Sequence, residues 1–282
     1  MQEGSCDHTD SLGAAGRYGG DGRAGDLQWM TAGSGVVHGE NMPLLKHDAP
    51  NTLRLFQLWL NLPAKSKMAQ PTYVMRWAEE MEFLRGEGGA ECEVAAGTLG
   101  GASGGPPPPD SWAADPAHDV GVFFVSLPPG SSFTLPPAAT GAAPNRVAYL
   151  VEGPTDGARA ARVRVGGGAA KGGRGSFTLR AELPCPMENA NADGEDAHVL
   201  VLQGVPIGEP VAQQGPFVMN TREQLAQAYE DYRRTRFGGW PWDEDAVVFP
   251  RSQGRFADIV AADGTKVRTL PPQRGAPAKA EL

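Results

Sequence analysis

The chain has 282 residues, an apolar fraction of 40% and a formal net charge of −8. That length and apolar content suit about two ordinary domains with packed cores, and the acidic balance disfavours direct contact with nucleic acid or an anionic membrane, both of which need a basic surface. The 38 glycines and 25 prolines exceed ordinary usage, which marks part of the chain as unable to build a core.

The first ten residues, MQEGSCDHTD, are polar and acidic. They have neither the basic start and apolar stretch of a signal peptide nor the acid-poor, Arg- and Ser-rich character of a transit peptide. Strand-length apolar or alternating runs come next, between Gly, Pro and Asp punctuation: DLQWMTA at 26–32, GVVHGE at 35–40, TLRLFQLWLNL at 52–62, VGVFFVSL at 120–127, RVAYLVEG at 146–153, GSFTLRAE at 175–182 and AHVLVLQG at 197–204. None is long enough to span a bilayer as a helix. One segment reads as a helix, NTREQLAQAYEDYRRTRF at 220–237. Asn220 or Thr221 can cap it, Glu223 or Gln224 stands at capping-box distance, Leu225, Ala228, Tyr229 and Tyr232 form an apolar stripe, and Gly238-Gly239 stops it. Many short strands and one late helix predict an all-β sandwich or barrel with an appended helix.

Three biased segments, at about 85–118, 136–145 and 154–174, read from composition as mobile loop insertions. The run Pro106–Pro109 inside the first suits a stiff spacer or a polyproline ligand. Residues 241–282, ending in PPQRGAPAKAEL, read as a poorly ordered tail. Cys6, Cys92 and Cys185 are odd in number, far apart and in no CxxC spacing. Neither a disulfide framework nor a zinc cluster is expected, and a reducing, intracellular setting is the simpler reading.

His38 and Glu40 are the pair that suggests chemistry. Side chains at i and i+2 of a strand share a face, and a neutral imidazole beside a carboxylate suits non-haem iron. An exposed polar strand face is the plain alternative. Gly33 and Gly35 bracket a tight turn ahead of this strand. Gln57, Trp59 and Asn61 share one face of the 52–62 run, which lines a cavity or forms the outside of a barrel; Gln28 and Met30 pose the same choice.

Four strings carry a family resemblance: EGSCDHTDSLG at 3–13, GDLQWMTAGSGVVHGEN at 25–41, LRLFQLWLNLPAKSKMAQPTY at 53–73 and EPVAQQGPFVMNTREQLAQAYEDY at 209–232. They resemble the pirin family over most of 3–82 and about 195–240; the middle is similar in outline through FFVSLPPGSSFTLP and RVAYLVEG, and the biased insertions have no counterpart. The resemblance implies tandem cupin (jelly-roll) barrels with the C-terminal segment and its helix crossing back onto the first. It also implies iron (Fe2+) in the first barrel only, held by three histidines and a glutamate. Some members oxidise flavonols such as quercetin with dioxygen. Others are nuclear co-regulators of transcription, and plant members engage signalling partners, so a protein partner, a flavonol substrate and a cytoplasmic or nuclear setting are all implied.

The family's second metal motif maps onto His38 and Glu40. Its first, a His-x-His pair, precedes the EGSCDHTDSLG stretch, whereas here Met1 stands two residues ahead of it. The first barrel is therefore expected to be truncated and incomplete, with open edges; a shortened reading frame and a genuine short form are equally compatible. The expected organisation is a truncated first cupin at 1–82, a second cupin at 83–210, the crossing segment and helix at 211–240, and the tail. The candidates for a third donor are few, namely His8, His47, His118, His198 and Cys6, and each has a plainer role. The site prediction is thus His38 and Glu40 for metal and Gln57 and Gln28 for the pocket, with no catalytic residue assigned. The expected product is a weak or inactive enzyme, or a quercetin 2,3-dioxygenase if the reading frame extends upstream.

Overall fold

The computed structural model describes residues 9–10, 16–18, 25–40, 48–49, 53–138, 144–160, 162–240, 255–260 and 266–272, of which 9–10, 16–18, 39–40, 53–54, 259–260 and 266 are described in backbone only. The chain forms two units: residues 1–80, 108–112 and 207–282 make the first, and 81–107 and 113–206 the second.

The N-terminal segment supplies β1 (Thr9–Asp10), β2 (Gly16–Tyr18), β3 (Leu27–Thr31), β4 (Gly39–Glu40), β5 (Leu53–Leu55) and β6 (Thr72–Arg76). The second unit supplies β7 (Glu82–Arg85), β8 (Glu91–Ala96), β9 (Thr98–Leu99), β10 (Ala102–Ser103), β11 (Gly121–Leu127), β12 (Ser131–Leu135), β13 (Asn145–Glu152), the one-turn helix α1 (Gly157–Ala160), β14 (Val163–Val165), β15 (Gly168–Ala169), β16 (Gly175–Leu179), β17 (Cys185–Asn189) and β18 (Ala197–Gly204). The chain then returns to the first unit with β19 (Ala212–Gln214), β20 (Phe217–Met219), α2 (Arg222–Thr235), β21 (Ala257–Val260) and β22 (Lys266–Thr269).

The second unit is a sandwich of two mainly antiparallel sheets, ordered β16-β13-β18-β11-β8-β7 and β12-β17-β14-β15. Alternate residues of each strand face inward: Phe123, Val125 and Leu127 on β11, Val199 and Val201 on β18, Phe133 and Leu135 on β12, and Met187 on β17 meet in one buried core. This period of two is why each strand reads as an alternating run, and the pairing of two such faces is what makes a sandwich stable. Arg146, on β13, is buried at the core's edge; its Nε donates to Gln203 Oε1 at 2.7 Å and its Nη1 to the Pro136 carbonyl at 2.8 Å.

Two of the segments expected to be mobile insertions are structural instead. Within 85–118, the run ECEVAA forms β8, with Cys92, Val94 and Ala96 fully buried between β7 and β11. Within 154–174, Val163 and Val165 point into the core from β14. Composition averages a window, whereas a strand needs only two or three apolar residues at every second position; burying each such valine contributes about 1.5–3 kcal/mol. In the 136–145 segment, residues 139–143 lie outside the described residues, and Ala138 N donates to the Ala181 carbonyl at 2.7 Å.

In the first unit, β3 pairs with β6, β2 with β5 and β19 with β20, and a four-stranded sheet runs β22-β21-β1-β4. The expected disordered tail therefore contributes the hairpin β21–β22, with Phe256 and Ala257 fully buried. A four-residue strand that pairs with a partner 247 residues away has no local signature to set it apart from a tail. Helix α2 forms as expected at its start: Gln224 N donates to Thr221 Oγ1 at 3.2 Å and Thr221 N to Gln224 Oε1 at 3.0 Å, a complete capping box. Its end differs from expectation. The reversal is made by Arg236 (φ 53°) and Phe237 (φ 51°), ahead of the glycines. No helix among the described residues is long and apolar enough to cross a membrane.

Candidate functional site

The His38 segment is positioned by a turn directly after β3. Gly35 N donates to the Ala32 carbonyl at 2.8 Å, closing the turn, and Ser34 N donates to the Ala69 carbonyl at 2.9 Å, tying it to the loop 63–69. Gly33 (φ 48°) and Gly35 (φ 106°) both adopt backbone that favours glycine. A Cβ on Gly33 would collide with the Ala69 carbonyl, and one on Gly35 would lie 2.6 Å from the Phe237 ring. The turn is thus clamped from both sides. His38 is half-buried and stands immediately before β4, whose residues pair in parallel with β1, Thr9 with Gly39 and Asp10 with Glu40. The strand expected over 35–40 is only two residues long, and the side chain of Glu40 lies outside the described residues.

Phe237 is held by an aromatic cluster. Its ring is 5.8 Å from Phe217, edge to face, and 5.2 Å from Tyr232; Phe217 in turn packs edge to face on Tyr229 at 4.7 Å, and Arg236 covers Tyr232 at 5.4 Å. Two consecutive non-glycine residues at positive φ cost about 1–3 kcal/mol each, which this packing offsets.

The pocket candidates separate. Gln28 is buried within β3, as are its neighbours on both faces of the strand. Gln57 is exposed, between Leu55 and Trp59 at 41% and 42% exposure, while Phe56, Leu58 and Leu60 are half-buried. The Gln57 face is thus the outside of the segment, and the structure brings Gln28, not Gln57, into an interior. Strand formation there stops at Leu55, so the alternation continues without a paired ladder.

Among the candidate third donors, Cys6, His8 and His47 lie outside the described residues. His118 sits in a 3-10 turn of the second unit, its Nε2 3.9 Å from Asp115 Oδ2. His198 lies on β18 opposite Ser126, whose Oγ is 3.3 Å from its Nδ1. Among the described residues no group of three or more His, Cys, Asp or Glu is placed to hold a metal ion. A facial iron site needs at least three protein donors, so the donors described do not by themselves fit one.

Two charged clusters in the first unit had no signal in the sequence. Lys67 is buried, its Nζ donates to Asn61 Oδ1, and burial lowers its pKa against the pull of Glu209. Glu209 Oε2 also accepts from Ala64 N at 2.6 Å and from Asn220 Nδ2 at 3.1 Å. Asp26 is buried at the start of β3, where its Oδ1 accepts from Ala78 N at 2.9 Å and from Arg255 Nη1 at 2.7 Å. Burial nevertheless outweighs both hydrogen bonds and pushes its pKa up to about 6. Isolated polar residues in loops read as surface, and only tertiary contact shows otherwise.

The paired sheets with an inward-facing apolar core, repeated strand pairing in the first unit and, among the described residues, a single substantial helix define a tandem cupin protein. Comparison with known proteins gives the family. The model of the pirin family matches residues 1–60 and that of the pirin C-terminal cupin domain matches 122–238. A pirin-like protein of Caulobacter vibrioides is 37% identical over 237 residues, covering 84% of this chain and 75% of its own. A Pseudomonas aeruginosa protein named as a candidate quercetin 2,3-dioxygenase is 35% identical over 236 residues, covering 83% and 73%. The crystal structure of a quercetin 2,3-dioxygenase from Acinetobacter baumannii superposes with a TM-score of 0.56 at 25% identity, covering 82% of this chain and 72% of that one. The chain belongs to the pirin family.

Proposed function

We propose that this polypeptide is a pirin-type protein of the flavonol-dioxygenase lineage in which His38 and Glu40 supply two of the iron donors, and that these 282 residues alone hold iron weakly and oxidise flavonol slowly. Support for the lineage comes from the quercetin 2,3-dioxygenase names of its relatives. The observation that carries the reading is the placement of His38 at the head of β4, behind a turn clamped by Ala69 and Phe237. His38, delivered by this turn, with a carboxylate two residues on, is a donor pair suited to ferrous iron, which would supply dioxygen chemistry there when bound. Two single donors retain a metal poorly, and no third comes together with His38 among the described residues.

The test is iron content after anaerobic reconstitution, measured with quercetin consumption in air, for the full chain and for His38→Ala. The expected result is less than about a tenth of an iron per chain, abolished by the substitution, with turnover in proportion to iron. Stoichiometric iron would overturn the weak-site reading. Iron retained by His38→Ala would overturn the role of His38.

The acidic charge supports a second, surface-based role toward a protein partner rather than nucleic acid. Affinity purification of the full chain from cells expressing it tests this; no reproducible partner would count against it.

A further inference from the structure

Arg255 is held on three sides by residues of the N-terminal segment. Its Nη1 donates to Asp26 Oδ1 at 2.7 Å, its Nη2 donates to Glu79 Oε1, and its guanidinium lies 5.6 Å from the centroid of the Trp77 ring. A planar cation bridging two carboxylates and stacked on an indole has a geometry that a lysine cannot reproduce. The seat is made by residues 26, 77 and 79 of one chain segment, and its occupant is 229 residues from Asp26.

The segment after Arg255 is built to stay down. Phe256 and Ala257 are fully buried. Arg268, on β22, covers the Phe256 ring at 4.3 Å and is fixed by Asp258 through two hydrogen bonds of 2.6 Å. Strand β21 then pairs antiparallel with β1, Ala257 against Asp10, and β1 pairs in parallel with β4, Asp10 against Glu40. Strands β1 and β4 have two residues each. A two-residue ladder is marginal by itself, so its order depends on what flanks it.

We infer that residues 255–260 and strand β22 form a C-terminal latch, seated by Arg255 between Asp26 and Glu79, whose docking orders the strand pair that carries Gly39 and Glu40. Arg255 is thus a positioning residue for the candidate site, acting through β21 and β1.

Hydrogen exchange on the full chain tests it. In Arg255→Ala, amides of 257–260 and 266–269 are expected to exchange at least about tenfold faster, together with those of 9–10 and 39–40, while β11 and β18 stay protected. Arg255→Lys, which keeps the charge but not the bridge, should give the same pattern to a smaller degree. Glu79→Gln, which removes one arm of the seat, should do likewise. Faster exchange confined to 257–260 and 266–269, with 39–40 unchanged, would overturn the coupling. Unchanged exchange throughout, or equal loss in β11 and β18 for all three variants, would overturn the latch.

Discussion

The ring of Phe237 occupies the space that a β-carbon on Gly35 would need, 2.6 Å away. One residue ends the helix α2; the other sits three positions before His38 in the turn that delivers it to β4. A contact between residues 202 positions apart therefore fixes the local backbone of the candidate site.

Gly35→Ala should be destabilising, because it meets both a positive φ of 106° and the Phe237 ring. A loss of about 1–3 kcal/mol in urea unfolding is expected. Combining it with Phe237→Ala relieves the collision but not the backbone cost, so the two substitutions should be non-additive. Additive losses would show that the ring and the turn do not communicate.

Asp26 should make stability fall as pH rises through the mildly acidic range. Its carboxyl keeps a proton in the folded chain up to about pH 6, against 3.8 as the ordinary value. The folded state thus binds more protons than the unfolded one between those values. The contribution is fully present below about pH 4, is lost as pH rises to about 6, and amounts to about 3 kcal/mol. Denaturation at a series of pH values checks it; Asp26→Asn should remove this slope, and an unchanged slope would sink the assignment.

In the second unit, Gln203→Leu should strand Arg146. The guanidinium would remain buried with the Pro136 carbonyl as its remaining neutral acceptor. Removing the hydrogen-bond acceptor of a buried charged group costs about 1.5–3 kcal/mol, whereas replacing both members by apolar residues of similar shape is near neutral. Urea unfolding of Gln203→Leu and of Gln203→Leu combined with Arg146→Met separates the two cases. A double variant no more stable than the single one would contradict this account.

Cys92 should be inert in the native protein. It is fully buried, and burial, followed by the charge of Glu93, pushes its thiol up to about 12, so almost no thiolate exists at neutral pH. Peptide mass spectrometry after alkylation should show Cys92 labelled only when the protein is unfolded. Rapid native labelling would mean that β8 opens readily.

The strands β11, β13, β16 and β18 and the capped start of α2 were legible from residue order, because each signal is local: a period of two, turn residues at the ends, or Thr221 three positions before Gln224. The pirin resemblance likewise rested on contiguous strings, among them the one containing His38 and Glu40. Strand β8 was hidden in a window rich in Gly and Pro, since averaging conceals three inward residues at alternate positions.

Other features depend on contacts that no local pattern encodes. The hairpin β21–β22 becomes a hairpin of the first unit only when Ala257 meets Asp10 and Arg255 finds Asp26 and Glu79. Arg236 and Phe237 take left-handed backbone only because aromatic packing offsets the strain, a balance invisible in the pair Arg-Phe itself. Chain order alone thus sufficed for the all-β class and the family, and it nominated His38 and Glu40. The anchoring of that motif was decided by tertiary structure, because burial, charge pairing and close approach of Phe237 to Gly35 exist only after distant segments have come together.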